Sequence, residues 1–398
     1  MDNTQRAWVE INLDSLAQNV IEIKKCLKPG VKLMGVIKAN AYGHGVCESA
    51  KIILENGVDQ LAVAFVDEAI ELRKAGFSVP ILILGNSPFE VIDDVIEYDI
   101  TPAVFSIDFA EELSKRAKCA GKTVKVHIKV DTGMHRIGFL YDGNILEQKK
   151  TIEKITKISK LPNIEIEGIF SHLATSDEED ESYTRKQFGL FTELTDTLLK
   201  AGITVPIKHI ANSAALVRFP EMQLDMVRAG LVMYGMFPSK TVSRAGLSLK
   251  PIMTFKTRIT AVNELDKGAS ISYGRQYATE KPAKIATIAV GYADGYSRLL
   301  SGKVNVLVNG AYAKQLGRIC MDQCMIDVTN VNNINIGDEV VLFGGDERGV
   351  IPIEDVAEQM GTINYEIACL VDRRIPRVYI IDGKPTRSLN YLCDEKGK

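Results

Sequence analysis

The feature that most constrains this fold is a repeated alternation of short β-branched runs with longer amphipathic stretches between residues 33 and 228. Each pair is typical of a βα unit, in which a helix follows a buried parallel strand and covers it. The predicted strands are Leu33–Ile37, Leu61–Ala64, Ile81–Leu84, Thr101–Val104, Val124–Val130, Ile166–Phe170, Ile207–Ala211 and Asp225–Arg228. Eight such units favour a closed (β/α)8 barrel over an open doubly wound sheet. No GxGxxG follows the first strand, which disfavours dinucleotide binding.

The pattern changes beyond about residue 240. Short strands separated by Gly, Asn and Asp turns are predicted at Val304–Asn309, Met325–Val328 and Glu339–Phe343. A chain of 398 residues is long enough for two domains. We therefore predict an α/β plus all-β protein: a TIM-like barrel over residues 8–240, a smaller mainly β domain over 241–384, and a weakly ordered polar tail over 385–398.

Composition narrows the function classes. The 48 Lys and Arg residues nearly balance the 51 Asp and Glu residues, so nothing favours a nucleic-acid or anionic-membrane partner, and a small-molecule substrate is expected. The charged start of the chain lacks the apolar core of a signal peptide, and no later stretch is apolar enough to span a bilayer. Seven scattered cysteines are typical of reduced thiols in a cytoplasmic protein. Cys320 and Cys324 lack the further ligands of a zinc site, so no metal is predicted.

Lys38 is the first candidate catalytic residue. It follows the first predicted strand directly, in the run VIKANAYGHG over residues 36–45. The carboxyl ends of barrel strands carry the active site, and burial at such an end lowers the pKa of a lysine amine toward the range that nucleophilic catalysis needs. From the strand alone, a lysine that extends into solvent is the alternative interpretation.

The run VIKANAYGHG resembles the cofactor-lysine motif of alanine racemases, a barrel-type family of pyridoxal-phosphate enzymes. The likeness continues in order from about residue 7 to about residue 380. It includes KVDTGMHRIG (129–138), SHLATSDE (171–178), ANSAA (211–215), DMVRAGLVMYG (225–235), ISYGRQY (271–277), VGYADGYSR (290–298), GRICMDQ (317–323) and NYEIACLVDRRIPR (364–377). The resemblance implies pyridoxal 5'-phosphate, alanine as substrate, and a cytoplasmic homodimer with shared active sites.

Racemisation needs two bases on opposite faces of the substrate. The resemblance assigns these to Lys38 and Tyr273, with Tyr273 reaching the site from the partner subunit. Because a tyrosine pKa of about 10 makes a poor base at neutral pH, its phenolate must be stabilised. The resemblance supplies His172 and Arg228 for this, and places Arg228 at the pyridine nitrogen. From the residues alone, the favoured interpretations are a core histidine for His172 and an ion-pair arginine for Arg228.

The remaining roles also come from the resemblance. Arg136 binds the substrate carboxylate and the phenolic oxygen of the cofactor, and Lys129 matches a lysine that is carbamylated in many relatives. Met321 and Asp322 line the substrate pocket from the partner subunit. The positions assigned to the cofactor phosphate are Tyr42, Ser213, Gly230, Leu231 and Tyr365, and those assigned to the corridor that admits substrate are Tyr292, Asp177, Arg298 and Arg318. Taken singly, each could be an ordinary cap, turn, core or surface residue.

Three alternatives stay open at this stage. A serine or broad-specificity racemase shares almost every motif, although Tyr365 favours alanine because serine-preferring relatives tend to have a smaller residue there. A noncatalytic pyridoxal-phosphate carrier would lack the second domain. A decarboxylase on the same plan would place an acid where Arg228 stands.

Overall fold

The structure, a computed structural model, describes residues 5–239, 242 and 247–393. It divides into two compact units. One comprises Leu16–Ala41 and Val46–Lys250, and the other comprises Met1–Ser15, Tyr42–Gly45 and Pro251–Lys398. We call them the barrel unit and the β unit. None of the helices in the described ranges is both long and apolar enough to cross a membrane.

Eight parallel strands form the barrel unit, as predicted. The first strand pairs with the last, with Val227 opposite Leu33. Between the last two strands, the Asp225 amide donates to the Lys208 carbonyl at 3.2 Å and the Arg228 amide donates to the Ala211 carbonyl at 3.0 Å, which closes the barrel. The strands are Lys32–Val36, Gln60–Val63, Ile81–Ile83, Thr101–Val104, Val124–Asp131, Ile164–Phe170, Ile207–His209 and Met226–Ala229.

Amphipathic helices follow these strands. In Ile107–Cys119, the Ser106 hydroxyl caps the first turn by accepting from the Phe109 amide at 3.3 Å, and Phe109 and Leu113 are buried on one face. The two-residue strand Phe139–Leu140 pairs with Val124–Asp131. The helix Leu13–Lys25 precedes the first barrel strand, and the helices that follow barrel strands are Val46–Glu55, Val66–Lys74, Ile92–Glu97, Ile107–Cys119, Ile145–Ile158, Ser182–Lys200 and Ser213–Arg218.

The β unit is built on a ten-stranded mixed sheet, which confirms the mainly β second region. Its strands, in sequence order, are Ala7–Asn12, Met253–Leu265, Ala283–Ile288, Asn305–Val308, Ala311–Leu316, Cys324–Asp327, Glu339–Asp346, Gly349–Ile351, Arg377–Ile381 and Lys384–Leu389. Ser270–Ile271 and Tyr277–Ala278 form a separate two-stranded ribbon. Two helices, Ile353–Met360 and Asn364–Leu370, complete the unit.

Two predicted boundaries differ from the structure. The predicted barrel domain begins at residue 8, with no strand predicted before Leu33, whereas the strand Ala7–Asn12 belongs to the β unit. It pairs antiparallel with Met253–Leu265 and parallel with Arg377–Ile381, partners that no local pattern reveals. Lys384–Leu389 pairs with Arg377–Ile381, so the predicted weakly ordered tail begins with a regular strand. Residues 394–398 and the predicted boundary at 240 and 241 lie outside the described residues.

Candidate active site

The turn after the first barrel strand holds Lys38 in a strained backbone. Ala39, Asn40, Ala41 and Tyr42 all adopt left-handed helical conformations, with φ between 51° and 55°. Such a conformation costs a residue other than glycine about 1–2 kcal/mol. Consecutive strained residues persist only where the surrounding structure fixes them, and they are concentrated at functional sites.

Two side chains fix this turn. Glu68 accepts from the Ala39 amide through Oε1 at 2.6 Å and from the Ala64 amide through Oε2 at 2.7 Å, which ties together the ends of the first two strands. The Asn40 Oδ1 accepts from the Val46 amide at 2.8 Å. These bonds hold the backbone that carries Lys38, whose side chain is half-buried.

Arg228, on the last barrel strand, is buried and donates four hydrogen bonds. Its guanidinium contacts His209 Nδ1 at 3.0 Å and His172 Nδ1 at 3.1 Å. It also donates to the carbonyls of Ser171 at 2.8 Å and Ile210 at 3.1 Å. None of these four acceptors is a carboxylate. Burial, with a smaller contribution from the charge of Arg136, lowers the pKa of Arg228 to about 9.

His172 lies two residues beyond the end of the Ile164–Phe170 strand. Burial and then the charge of Arg228 hold the pKa of His172 well below its ordinary value. The imidazole is therefore neutral at pH 7. Because Nδ1 accepts from Arg228, the ring proton is on Nε2, which makes His172 a hydrogen-bond donor on its other side.

Lys129 is buried inside the barrel, where its amine donates to the Val130 carbonyl at 2.7 Å. Its Nζ lies 5.3 Å from the centre of the Phe170 ring. Burial and then the charge of Arg228 lower the pKa of Lys129 to about 7, and Arg136 lowers it further. A large part of this amine is thus neutral near pH 7.

Asp131 shapes the loop that presents Arg136. Its Oδ1 accepts from the amides of Gly133, Met134 and His135 at 2.9, 2.9 and 3.0 Å, and its Oδ2 accepts from the Arg136 amide at 3.0 Å. The carboxylate thereby fixes the backbone on which the exposed Arg136 stands.

Ser213, Gly230 and Leu231 lie together at the ends of the last two strands. The Ser213 hydroxyl accepts from the Gly230 amide at 2.9 Å, and Leu231 begins a short 3-10 turn. All three are buried. Asp177 lies in the loop after the Ile164–Phe170 strand, where its carbonyl accepts from the Ser239 hydroxyl at 2.7 Å.

In the β unit, Tyr42 packs against Tyr365, with ring centroids 6.1 Å apart. The glycines that follow Tyr42 are required by close packing. A side chain at Gly43 would overlap the Ala368 carbonyl, and one at Gly45 would overlap the Tyr379 hydroxyl. Both glycines also have positive φ, at 84° and 94°.

Tyr273 is 70% exposed. The loop that carries it is held by Ser272, whose hydroxyl donates to the Arg318 carbonyl at 2.6 Å. The Arg318 guanidinium donates to Gln276 Oε1 at 3.1 Å and lies over Gly274. Arg318 therefore contacts residues on both sides of Tyr273.

Met321, Asp322 and Tyr292 are on loops joined to each other. The Tyr292 amide donates to the Cys320 carbonyl and the Ala293 amide donates to the Met321 carbonyl, both at 3.0 Å. Met321 is 53% exposed and Tyr292 is 42% exposed. Asp322 accepts from Arg374 at 2.8 Å.

A fully buried carboxylate braces these loops. Asp294 accepts from the Gly291 amide and from Arg6 Nη1, both at 3.0 Å. Arg374 lies 3.6 Å from the same carboxylate. Arg374 therefore connects Asp294 to Asp322.

Comparison with known proteins identifies the family. The family description "Alanine racemase, N-terminal domain" matches residues 11–238, and "Alanine racemase, C-terminal domain" matches residues 252–379. The chain belongs to the alanine racemase family. The alanine racemase of Clostridium kluyveri is 49% identical over 97% of each chain, and that of Methanococcus maripaludis is 47% identical over 94% of this chain and 98% of its own.

A solved structure agrees with this membership of the alanine racemase family. The alanine racemase of Clostridium difficile 630 superposes with a TM-score of 0.93 at 42% identity, over 98% of this chain and 99% of that chain. The resemblance inferred from the motifs is confirmed, as are the barrel and the mainly β region.

The structure groups the predicted residues into two sets. In the barrel unit, Arg228 contacts His172, and Ser213 contacts Gly230. In the β unit, linked loops carry Tyr273, Tyr292, Arg318, Met321 and Asp322, and Arg298 begins an exposed turn. Tyr365 lies against Tyr42.

Sequence reasoning missed the residues that hold these groups in place: Glu68, Asp131, Asp294, His127 and His209. One signal was available in the strand Val124–Asp131. Lys125, His127 and Lys129 alternate along it, so they occupy one face. Three polar side chains on one face of a strand inside a barrel indicate a polar cluster there.

Proposed function

We propose that this protein interconverts L-alanine and D-alanine with pyridoxal 5'-phosphate as cofactor, using Lys38 and Tyr273 as bases on opposite faces of the substrate. The observation that carries this proposal is the buried Arg228 guanidinium at the carboxyl ends of the barrel strands, held by neutral acceptors. A cation there suits a racemase, because it opposes protonation of a pyridine nitrogen and weakens the ring as an electron sink.

The donor set fits this cofactor. Lys38 offers an amine, the neighbouring Ser213, Gly230 and Leu231 offer a hydroxyl and backbone amides for a phosphate, and Arg228 offers a guanidinium. Tyr42 and Tyr365 are further phosphate ligands in this proposal. Pyridoxal phosphate supplies, when bound, an aldehyde for the lysine amine and a conjugated ring that acidifies the substrate α-carbon.

The chain's own residues then divide the proton transfers. Lys38 removes or returns the α-proton on one face, and Tyr273 of the partner subunit does so on the other. His172 donates from Nε2, and its Nδ1 accepts from Arg228. This pair supplies a donor and a fixed positive charge, which stabilise the phenolate form of the partner's Tyr273.

We place the second half of each site in a second copy of the chain. Tyr273, Met321 and Tyr292 are apolar or aromatic residues with large exposed fractions on braced loops. Burying them against a second subunit removes that surface from water. Met321 and Asp322 then line the substrate pocket, and Tyr292, Arg298, Arg318 and Asp177 border the corridor that admits small amino acids. The seven cysteines all lie within the described residues and form no disulfide there, which suits the cytoplasm.

Arg136 binds the substrate carboxylate in this scheme, and Lys129 is carbamylated. Its amine, with a pKa of about 7, has the neutral form that adds to carbon dioxide with loss of a proton. The product is an anion among groups that otherwise repel a protonated lysine, namely Arg228 and Arg136. A carbamate would thus brace Arg136 and relieve that repulsion.

The other activities weighed from the sequence are less compatible with these features. A single-barrel cofactor carrier has no counterpart of the ten-stranded β unit. A decarboxylase is expected to place an acid where Arg228 stands. A serine racemase differs by few pocket contacts, each worth about 1–3 kcal/mol, so substrate choice needs direct measurement.

The test is a chiral assay of the purified protein with pyridoxal phosphate, with L-alanine and L-serine offered separately. We expect rapid formation of D-alanine and little D-serine. Dominant D-serine would transfer the assignment to the serine-preferring class. The control is Lys38→Ala, which should release no D-product and retain no cofactor after borohydride reduction; cofactor trapped in that variant would refute the role of Lys38.

A further inference from the structure

A chain of hydrogen bonds leads from Arg228 into the barrel interior. Arg228 contacts His209 Nδ1 at 3.0 Å, and His209 Nε2 contacts His127 Nδ1 at 2.8 Å. His127 Nε2 then contacts Glu167 Oε2 at 3.2 Å, and Glu167 Oε1 accepts from Lys125 at 2.9 Å. We call Arg228, His209, His127 and Glu167 the histidine relay.

Both ends of the relay dictate the same direction for every hydrogen bond. A guanidinium only donates, so His209 Nδ1 must accept and, in the neutral ring, Nε2 carries the proton. That proton is donated to His127 Nδ1, so the proton of the neutral His127 ring is on Nε2 and is donated to Glu167. An ionised carboxylate only accepts, which completes the series.

The pKa shifts agree with neutral imidazoles at His127 and His209 and an ionised carboxylate at Glu167. Burial lowers the pKa of His127 and places that of His209 well below its ordinary value. The hydrogen bond from His127, followed by that from Lys125, lowers the pKa of Glu167 to about 2 despite partial burial. The partly buried carboxylate is thus anionic at neutral pH while both imidazoles are uncharged.

The barrel is shaped to hold these rings. A side chain at Gly168 would lie within 3 Å of three ring atoms of His127, so only glycine leaves room opposite this imidazole. The Phe170 ring stacks on His209 with centroids 4.9 Å apart and planes inclined by 10°. These contacts restrict both rings to the orientation that the relay requires.

The relay compensates the positive charge of Arg228, whose hydrogen bonds include none to a carboxylate. The four acceptors of Arg228 are two carbonyls and two imidazoles. An uncompensated buried charge is strongly unfavourable. Glu167 supplies the opposite charge at the far end, and the two polarised imidazoles connect them.

We propose that His209, His127 and Glu167 are positioning residues, which make Glu167 the remote counterion of Arg228 and fix the guanidinium as a charged donor in one orientation. The relay itself follows from its contacts. Its consequence for racemisation rests on the proposed function, in which Arg228 faces the pyridine nitrogen of the cofactor.

The first test is nitrogen NMR of the imidazoles in the intact, cofactor-loaded protein at neutral pH. The chain has five histidines, so single substitutions can assign the signals. We expect His127 and His209 to be neutral with the proton on Nε2. A proton on Nδ1, or a doubly protonated ring, at either residue would overturn the relay whether or not the protein racemises alanine.

The second test removes the charge and keeps the acceptor. In Glu167→Gln the amide oxygen can still accept from His127, so we expect unchanged tautomers but a roughly tenfold lower kcat with little change in KM. The absorption of the bound cofactor should also shift. The matched control is Lys125→Gln, which removes the half-exposed cation beyond the relay and should leave kcat within about twofold, as expected for a surface pair.

Two results would reject the counterion role. One is a folded Glu167→Gln protein with wild-type kcat and cofactor absorption. The other is an equal loss in both variants, which would assign the effect to the Lys125–Glu167 ion pair. If Glu167→Gln fails to fold, the tautomer measurement still tests the relay because it uses the unsubstituted protein.

Discussion

The candidate site residues of the two units differ in burial. The barrel unit contributes buried groups, with Arg228 3% and Lys129 4% exposed, and the surrounding protein shifts their pKa values strongly. The β unit contributes Tyr273 and Met321, which are 70% and 53% exposed on loops with braced backbones. The comparison teaches that one chain can bury one set of candidate residues and shift their pKa values while it leaves another set exposed to solvent.

The largest loss of activity is expected for a substitution of the exposed Tyr273, and this substitution should have little effect on the stability of the fold. Tyr273→Phe should lower racemase activity by about 10³-fold, because it removes one of two proposed bases. Its melting temperature should stay close to that of the unsubstituted protein, since the change removes one hydroxyl and keeps the ring, which is 70% exposed in the single chain. Solvent-deuterium incorporation should fall more from L-alanine than from D-alanine; an equal fall would contradict the division of faces.

The converse is expected inside the barrel. Arg228→Leu leaves two buried carbonyls and two imidazoles without their donor, so it should lower the free energy of unfolding by about 3 kcal/mol. Denaturant unfolding of Arg228→Leu and of Tyr273→Phe under the same conditions measures the difference between their free energies of unfolding. Equal stability of Arg228→Leu and Tyr273→Phe would contradict the distinction between the buried residues of the barrel unit and the exposed residues of the β unit.

A smaller effect should depend on pH. The pKa of Lys129 is lowered from an ordinary value of 10.5 to about 7, so between these values the unfolded chain binds more protons than the folded one. The stability of the folded state should therefore rise with pH, by on the order of 2 kcal/mol between pH 7 and 9. Lys129→Met should flatten this rise in buffer free of carbon dioxide. An identical profile for both proteins would contradict the burial of a titrating amine.

The smallest effect is expected at the exposed ion pair of the β unit. Arg374 and Asp322 have side chains that are 33% and 53% exposed, so Asp322→Asn should change the free energy of unfolding by less than about 0.5 kcal/mol. Activity should change more than stability if Asp322 lines the substrate pocket. A loss of stability comparable with that of Arg228→Leu would show that this exposed loop is part of the folding core.

Much of the fold could be predicted because it is encoded locally. The eight barrel strands were predicted from apolar β-branched runs, and the structure places each within one or two residues. The strand Ala7–Asn12 was not predicted, and its partners are about 250 and 370 residues away. No local pattern could reveal that pairing.

Among the candidate site residues, too, those in local motifs could be predicted and those brought together by long-range pairing could not. Lys38 and Arg228 were identified by motifs, since each stands at a strand end in a recognisable run. His127, His209 and Glu167 were not, because they come from three different strands and meet only when the register places His127 beside Gly168 and Phe170 beside His209.

By itself, the sequence determined the family, the strands of the barrel and the residue types that the chemistry needs, because periodicity and contiguous motifs are properties of neighbouring residues. Only the tertiary structure decided which groups are buried, which hydrogen bonds orient the histidines, and that Lys129 carries a pKa near 7. The physical reason is that desolvation and charge interactions depend on distance in space, and barrel closure brings together side chains that the sequence keeps far apart.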